Sequence, residues 1–88
     1  MTTTWAPTWR GMAIGSVSDL LTAACSCQTS EDAASLLSTY AKAQREAGYA
    51  ESVARQNLGY ALGYLGNEDR TRLYSLFNLR HPIFGNQP

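Results

Sequence analysis

Apolar residues recur at intervals of three and four along residues 16–80, the spacing that places them on one face of a helix. The pattern is interrupted around Gln28-Thr29, at Gly48 and at Gly66. It therefore predicts four helices, which run from Ser16 to the break near Gln28, from Ser30 to Gly48, from about Ala50 to Leu65, and from Asn67 to a residue before Pro82.

Residues that favour helix ends stand at these predicted boundaries. Ser16 with Asp19 resembles a capping box, in which side chains bind free backbone N–H groups of the first turn. Ser30 and Asn67 are each followed by two carboxylates, which suit the positive end of a helix dipole. The last helix must end before Pro82, because the residue preceding a proline is pushed out of helical geometry.

The two terminal segments lack this pattern. Residues 1–15 contain Pro7, two glycines and two tryptophans but no apolar periodicity. The third helix is apolar over an arc of roughly 200°, wider than the stripe of an ordinary surface helix, and is expected to be central. The sequence thus predicts a single all-α domain over residues 1–88, a compact four-helix bundle (residues 16–80) with an irregular tryptophan-containing arm (1–15) and an extended tail (81–88).

Charge narrows the classes of function. The 88 residues carry seven Lys and Arg against seven Asp and Glu, so the formal net charge is zero. Charged residues make up 16% of the chain, below the ~25% typical of soluble domains. This composition excludes a highly basic nucleic-acid coat, an acidic nucleic-acid mimic and a charge-driven disordered tail.

The length of the apolar runs and the number of cysteines indicate the cellular compartment. No stretch approaches the ~18 apolar residues that a membrane span needs, and residues 1–7 lack the basic and apolar regions of a signal peptide. Cys25 and Cys27 are the only cysteines, too few for the disulfide framework of a small secreted domain. We therefore expect a cytoplasmic protein with reduced thiols and no membrane partner.

Residue types that carry out chemistry are scarce. His81 is the single histidine, and no nucleophile elbow, paired carboxylates or phosphate loop accompanies it. Cys25 and Cys27 form a C-x-C pair, but a tetrahedral metal site needs two further ligands. Buried structural cysteines are the expectation. The sequence predicts no catalytic residue, no cofactor and no metal site.

Glycine and aromatic residues offer the strongest indication of an interface. Two Gly-Tyr pairs stand four residues apart in the third helix, where each glycine costs about 1 kcal/mol relative to alanine. The glycines favour close packing, either within the chain or against a partner, and tryptophans are frequent in interface hot spots. At least one indole is expected to pack within the chain. The candidate interface residues are Trp5, Trp9, Gly59, Tyr60, Gly63 and Tyr64. This surface favours a homodimer.

Nucleic-acid binding is the alternative function. The third and fourth helices, joined at Gly66-Asn67, have the outline of a helix-turn-helix, and Arg55, Arg70, Arg72 and Arg80 lie in this half. However, the fourth helix begins with Glu68 and Asp69, which repel phosphate. Nucleic acid is therefore not the expected partner.

The C-terminal half has a distinctive order of residues: Arg55-Gln56-Asn57-Leu58-Gly59-Tyr60, Gly63-Tyr64, Asp69-Arg70-Thr71-Arg72, Leu76-Phe77 and His81-Pro82-Ile83-Phe84-Gly85. This order resembles short, uncharacterised helical proteins encoded by bacteriophages of actinobacteria. The likeness covers about residues 52–85. It implies a phage or prophage origin and action in the cytoplasm of the host bacterium, and it implies no mechanism.

Together these observations predict a small, non-enzymatic protein-interaction module, a phage or prophage accessory protein that acts on a host or phage protein. The absence of a catalytic constellation and the surplus of aromatic residues are the grounds for this prediction. A helical nucleic-acid-binding protein is the alternative.

The tail residues His81, Pro82, Ile83 and Phe84 are predicted to be structural. Two large apolar side chains in a polar tail are expected to turn back onto the helices near Leu62 and Phe77, since burying each is worth about 1.5–3 kcal/mol. Phe84→Ala should then lower the free energy of unfolding by about 3 kcal/mol, measured by thermal denaturation. Unchanged melting with loss of partner binding would instead make the tail a recognition element.

Overall fold

The helical pattern of the sequence is realised in four helices. The structure is a computed structural model that describes residues 6–79. Its helices are α1 (Val17–Ser26), α2 (Ser30–Glu46), α3 (Glu51–Leu62) and α4 (Asn67–Leu76). The predicted helical class is confirmed. The predicted end of the third helix at Leu65 is three residues too late.

The helix starts agree with the sequence to within one residue. Ser16 caps α1, and its Oγ accepts the N–H of Asp19 at 3.1 Å. At α2 the cap is Thr29 rather than Ser30, and the Thr29 Oγ1 accepts the N–H of Asp32 at 3.1 Å. At α4 the cap position belongs to Gly66, which has no side chain to accept a bond, and Asn67 is the first helical residue.

Residues 8–13 correct the predicted irregular arm and the all-α assignment. They form an antiparallel hairpin of β1 (Thr8–Trp9) and β2 (Met12–Ala13), in which Trp9 is paired with Met12. The connecting residues Arg10 and Gly11 have φ values of 51° and 80°. Two positive φ values suit the type I′ turn, whose twist matches that of a two-stranded hairpin. Strands of two residues are too short to show an alternating pattern in the sequence.

Contacts from the hairpin to α2 offset the strained backbone of Arg10. A non-glycine residue at positive φ costs about 1–2 kcal/mol. The Arg10 guanidinium lies over the Trp9 ring, 4.5 Å from its centroid, and donates to Asp32 Oδ1 at 2.9 Å. The Trp9 indole N–H donates to Ser35 Oγ at 3.0 Å. The hairpin is thereby attached to the first turns of α2.

Asp32 joins the hairpin to the start of α2. Besides Arg10, its carboxylate accepts the backbone N–H of Gln28 at 3.2 Å. The hydrogen bond from Arg10 and then that from Gln28 lower the pKa of Asp32 below its ordinary value. The carboxylate therefore stays ionised at neutral pH and holds the two segments together.

The core consists of large apolar side chains separated by alanines. α1 and α3 each contact the other three helices. Alanine side chains let neighbouring helix backbones approach closely, while leucines fill the remaining space. The buried alanines are Ala23, Ala24, Ala33, Ala41, Ala54 and Ala61. The side chains of Leu36, Leu58, Leu62 and Leu73 are fully buried.

A hydrogen bond from α4 marks the end of α3. The Gly63 N–H donates to the carbonyl of Tyr60 instead of that of Gly59, and Tyr64 and Leu65 continue this tighter spacing. The Gly59 carbonyl accepts the hydroxyl of Tyr74 at 2.6 Å. Tyr74 is buried, and this burial raises the pKa of its hydroxyl, which stays protonated as a donor. The tyrosine thus replaces the backbone donor that a longer helix would supply.

Removing the Tyr74 hydroxyl should destabilise the fold. In Tyr74→Phe the buried Gly59 carbonyl loses this partner, at a cost of about 1–3 kcal/mol. Chemical denaturation followed by far-UV circular dichroism would measure the change. Tyr60→Phe is the matched control, because the Tyr60 ring is exposed and its oxygen accepts one long bond, from Gln56 Nε2 at 3.5 Å. Equal stability of the two variants would contradict the assigned role.

Candidate functional site

The structure separates the predicted interface residues into buried and exposed groups. Trp9 and Gly59 are buried within the chain, and a Cβ added at Gly59 would meet Tyr74 at an ordinary contact distance of 3.9 Å. Tyr60 and Tyr64 are 52% and 79% exposed. Gly63, half-buried, lies in the turn that follows α3. Trp5 and the tail residues 81–84 lie outside the described residues.

The exposed tyrosines border a groove that crosses three helices. The groove has a volume of about 730 Å³ and is bounded by the start of α1, the end of α2, the α2–α3 loop and one face of α3. We call it the tyrosine groove, and its lining consists of Gly15, Ser16, Val17, Leu20, Tyr40, Gln44, Ala47, Tyr49, Val53, Asn57, Tyr60, Ala61 and Tyr64.

Large apolar side chains that remain exposed are concentrated at this groove. Among residues 6–79 they are Val17, Tyr49, Tyr60 and Tyr64, each more than half exposed. All four belong to the lining of the tyrosine groove. Val17 comes from α1, Tyr49 from the loop before α3, Tyr60 from the end of α3 and Tyr64 from the turn that follows it. The fold therefore assembles one aromatic surface from three separate parts of the chain.

A buried amide lies in the wall of the groove. Gln44 is only 4% exposed, and its Nε2 donates to the Tyr40 hydroxyl at 2.8 Å. No donor within the described part of the chain reaches its Oε1. Buried polar atoms are usually hydrogen-bonded, so this oxygen is available to a donor that enters the groove.

Among residues 6–79, the lining of the tyrosine groove contains no Asp, Glu, Lys, Arg or His. Charges lie elsewhere on the surface. Arg45 pairs with Glu51 at 3.4 Å, and both, with Lys42 and Arg55, line a smaller depression of about 370 Å³ between α2 and α3. The groove therefore presents aromatic faces, hydroxyls and amides without a fixed charge.

Three of the four C-terminal arginines bind their own chain. Arg55 donates to the carbonyl of Asn78 at 2.7 Å, and Arg72 donates to that of Cys27 at 3.2 Å. Arg70 donates to Asn67 Oδ1 at 2.9 Å. Arg80 lies outside the described residues. These bonds attach the end of α1 to α4 and the residues after α4 to α3.

The two cysteines differ in environment, where the sequence predicted both to be buried. Cys27 is buried at the end of α1, and its Sγ lies 3.6 Å from the carbonyl oxygen of Ala23, whereas Cys25 is exposed. Burial, with a smaller contribution from the Asp32 carboxylate, raises the pKa of the Cys27 thiol. Within residues 6–79 no group of three or more His, Cys, Asp or Glu side chains is placed to hold a metal ion.

Alkylation should distinguish the two thiols. Iodoacetamide reacts with thiolate, so exposed Cys25 should be modified in the native protein. Cys27 should be protected by burial and by its raised pKa until the protein unfolds. Peptide mass mapping before and after addition of denaturant would show the order of modification. Equal rates in the native protein would contradict the buried position of Cys27.

Comparison with known protein families, curated proteins and solved structures finds no match. In the part of the chain that is described, no helix has both the length and the apolar character needed to cross a bilayer. The groove itself is therefore the basis on which a function can be argued.

Sequence reasoning named only Tyr60 and Tyr64 among the groove residues, and Val17, Gln44, Tyr49 and Asn57 are among those it missed. Gln44 carried a usable signal, because it follows Leu36 and Tyr40 at intervals of four on the buried face of α2. Val17 begins α1 and is 53% exposed, which the apolar periodicity of the helix does not indicate. Tyr49 lies in a loop, where periodicity gives no indication of burial.

Proposed function

We propose that this protein is a small, non-enzymatic interaction module that binds a segment of another protein in the tyrosine groove. The observation that carries the proposal is the common location of the four exposed large apolar side chains. Scattered single apolar residues on a surface need no explanation, whereas a contiguous patch is typical of a binding site.

The chemistry of the lining supports a protein partner. Tyrosine offers a large ring and a hydroxyl, and it loses little conformational entropy when a partner immobilises it. Such residues supply much of the free energy of binding in protein interfaces. In this proposal the four helices act as one bundle that holds the tyrosines at fixed positions, so that the groove needs little reorganisation on binding.

The proposed biological setting rests on the resemblance of residues 52–85 to actinobacteriophage proteins. On that basis we propose a phage or prophage accessory protein, in the host cytoplasm, whose partner is a host or phage protein. Nucleic-acid binding has less support. Phosphate contacts dominate such binding, yet the groove is uncharged and three arginines donate to the protein's own chain.

Removing two rings of the groove should weaken the binding of ligands to it. A random-peptide library displayed on particles and selected on the wild-type protein would supply ligands, with affinities measured by fluorescence polarisation. Tyr60→Ser combined with Tyr64→Ser should weaken these ligands by about tenfold or more, since hot-spot side chains contribute 2 kcal/mol or more. Both side chains are exposed, so the fold should be retained.

Lys42→Ser is the matched control, because it shortens a long exposed side chain on α2 outside the tyrosine groove. It should leave the affinity unchanged, and circular dichroism should show all variants folded. Ligands that bind the double variant as tightly as the wild type would refute the proposed function. Sedimentation that shows a dimer dependent on the same two tyrosines would identify the partner as a second copy of the chain.

A further inference from the structure

We propose that the occupant of the tyrosine groove is an uncharged, proline-rich segment in the polyproline II conformation. This inference rests on the proposed function, since it names the class of partner for the same groove. Three properties of the groove carry it: the absence of charge, the surplus of hydrogen-bond donors at the aromatic rim, and the length of the α3 face.

The absence of charge restricts the partner. A charged side chain that enters the tyrosine groove would lose its hydration and find no ion of opposite sign among the lining residues. The charged depression formed by Lys42, Arg45, Glu51 and Arg55 lies on another side of α2 and α3. Complementarity therefore favours a segment without Asp, Glu, Lys or Arg at the positions it buries.

The hydrogen-bonding groups of the rim distinguish an extended segment from a helix. Tyr49, Tyr60 and Tyr64 each carry a hydroxyl, and Asn57 carries an amide, all of which can donate. The carbonyls of a bound helix are already paired within the helix, so these donors would be covered without acceptors. A polyproline II segment makes no internal hydrogen bonds, and its carbonyls remain free to accept.

Aromatic rings also suit proline itself. Proline-rich segments bind in grooves between aromatic side chains, where the rigid backbone reduces the entropy lost on binding. The tyrosine groove presents such rings from the α2–α3 loop and from the end of α3. Proline rings would pack between them while the carbonyls face the hydroxyls.

The dimensions of the groove agree with a short segment. Val53 and Ala61 mark its extent along α3 and lie eight positions apart. At 1.5 Å per residue this helix face is about 12 Å long. A polyproline II chain rises about 3.1 Å per residue, so about four residues span it.

Gln44 Oε1 requires the bound segment to supply one hydrogen-bond donor. This buried oxygen receives no hydrogen bond from the described residues, and proline has no N–H to offer. A segment in which a non-proline residue recurs every third position presents all its N–H groups on one edge, because polyproline II has three residues per turn. A repeat of Ala-Pro-Pro meets both conditions.

The test uses the full chain and three uncharged peptides of equal length: an Ala-Pro-Pro repeat, a Gly-Ser repeat, and an amphipathic helix of Leu, Ala and Gln. Isothermal titration calorimetry measures affinity, and NMR shift mapping locates the site. The Ala-Pro-Pro repeat should bind at least about tenfold more tightly than the other two and shift the signals of Tyr60 and Tyr64. Tyr60→Phe should weaken it several-fold through loss of the hydroxyl, and Tyr60→Ser should weaken it further.

The outcomes separate this inference from the proposed function. If the helical peptide binds through Tyr60 and Tyr64 and the Ala-Pro-Pro repeat does not, the inference is wrong and the interaction module stands. The same holds if library selection enriches tyrosine-dependent ligands that lack proline. If no ligand depends on the two tyrosines, both are wrong. Lys42→Ser should again have no effect, and any loss with that variant would refute the location of the site.

Discussion

The hydrogen bond from the Tyr74 hydroxyl to the Gly59 carbonyl is the contact on which the arrangement of α3 depends. It is buried and short, and it binds the carbonyl that the next turn of a longer helix would use. α3 therefore ends at Leu62, and the chain continues in a tighter turn that carries Tyr64. Because α4 covers the side of α3 that bears Gly59, the side that bears Tyr60 is left to form the tyrosine groove.

Small core residues and the polar contacts between the hairpin and α2 support this arrangement. The buried alanines allow the helices to pack closely, and a limited number of large side chains fills the rest of the core. The hairpin contributes the Trp9 indole to the core. The hydrogen bond from the indole to Ser35 and the ion pair of Arg10 with Asp32 hold the hairpin in place. This ion pair is exposed, so its contribution is modest in energy, and its effect is to orient the hairpin on α2.

The proposed binding mode follows from what the fold leaves uncovered. A small protein that could bury its tyrosines would gain stability by doing so, yet Tyr49, Tyr60 and Tyr64 remain at one surface. Their rings, a lining that is uncharged among the described residues, and a Gln44 Oε1 that no described donor reaches together form a site that selects by shape and hydrogen bonding. Long-range charge attraction has little part in such a site, so binding is expected to depend weakly on salt.

The sequence by itself determined the four helices, their starts to within one residue and the helical class, because caps and apolar periodicity act over a few neighbouring residues. It also predicted Tyr60 and Tyr64 as interface residues, and the structure leaves both side chains exposed. Tertiary structure decided the rest. The hairpin depends on contacts between Arg10 and α2, the end of α3 depends on Tyr74 fifteen positions away, and the groove joins Val17 to Tyr49 and Tyr64. These pairings are long-range, and local periodicity contains no information about which distant side chain will supply a missing partner.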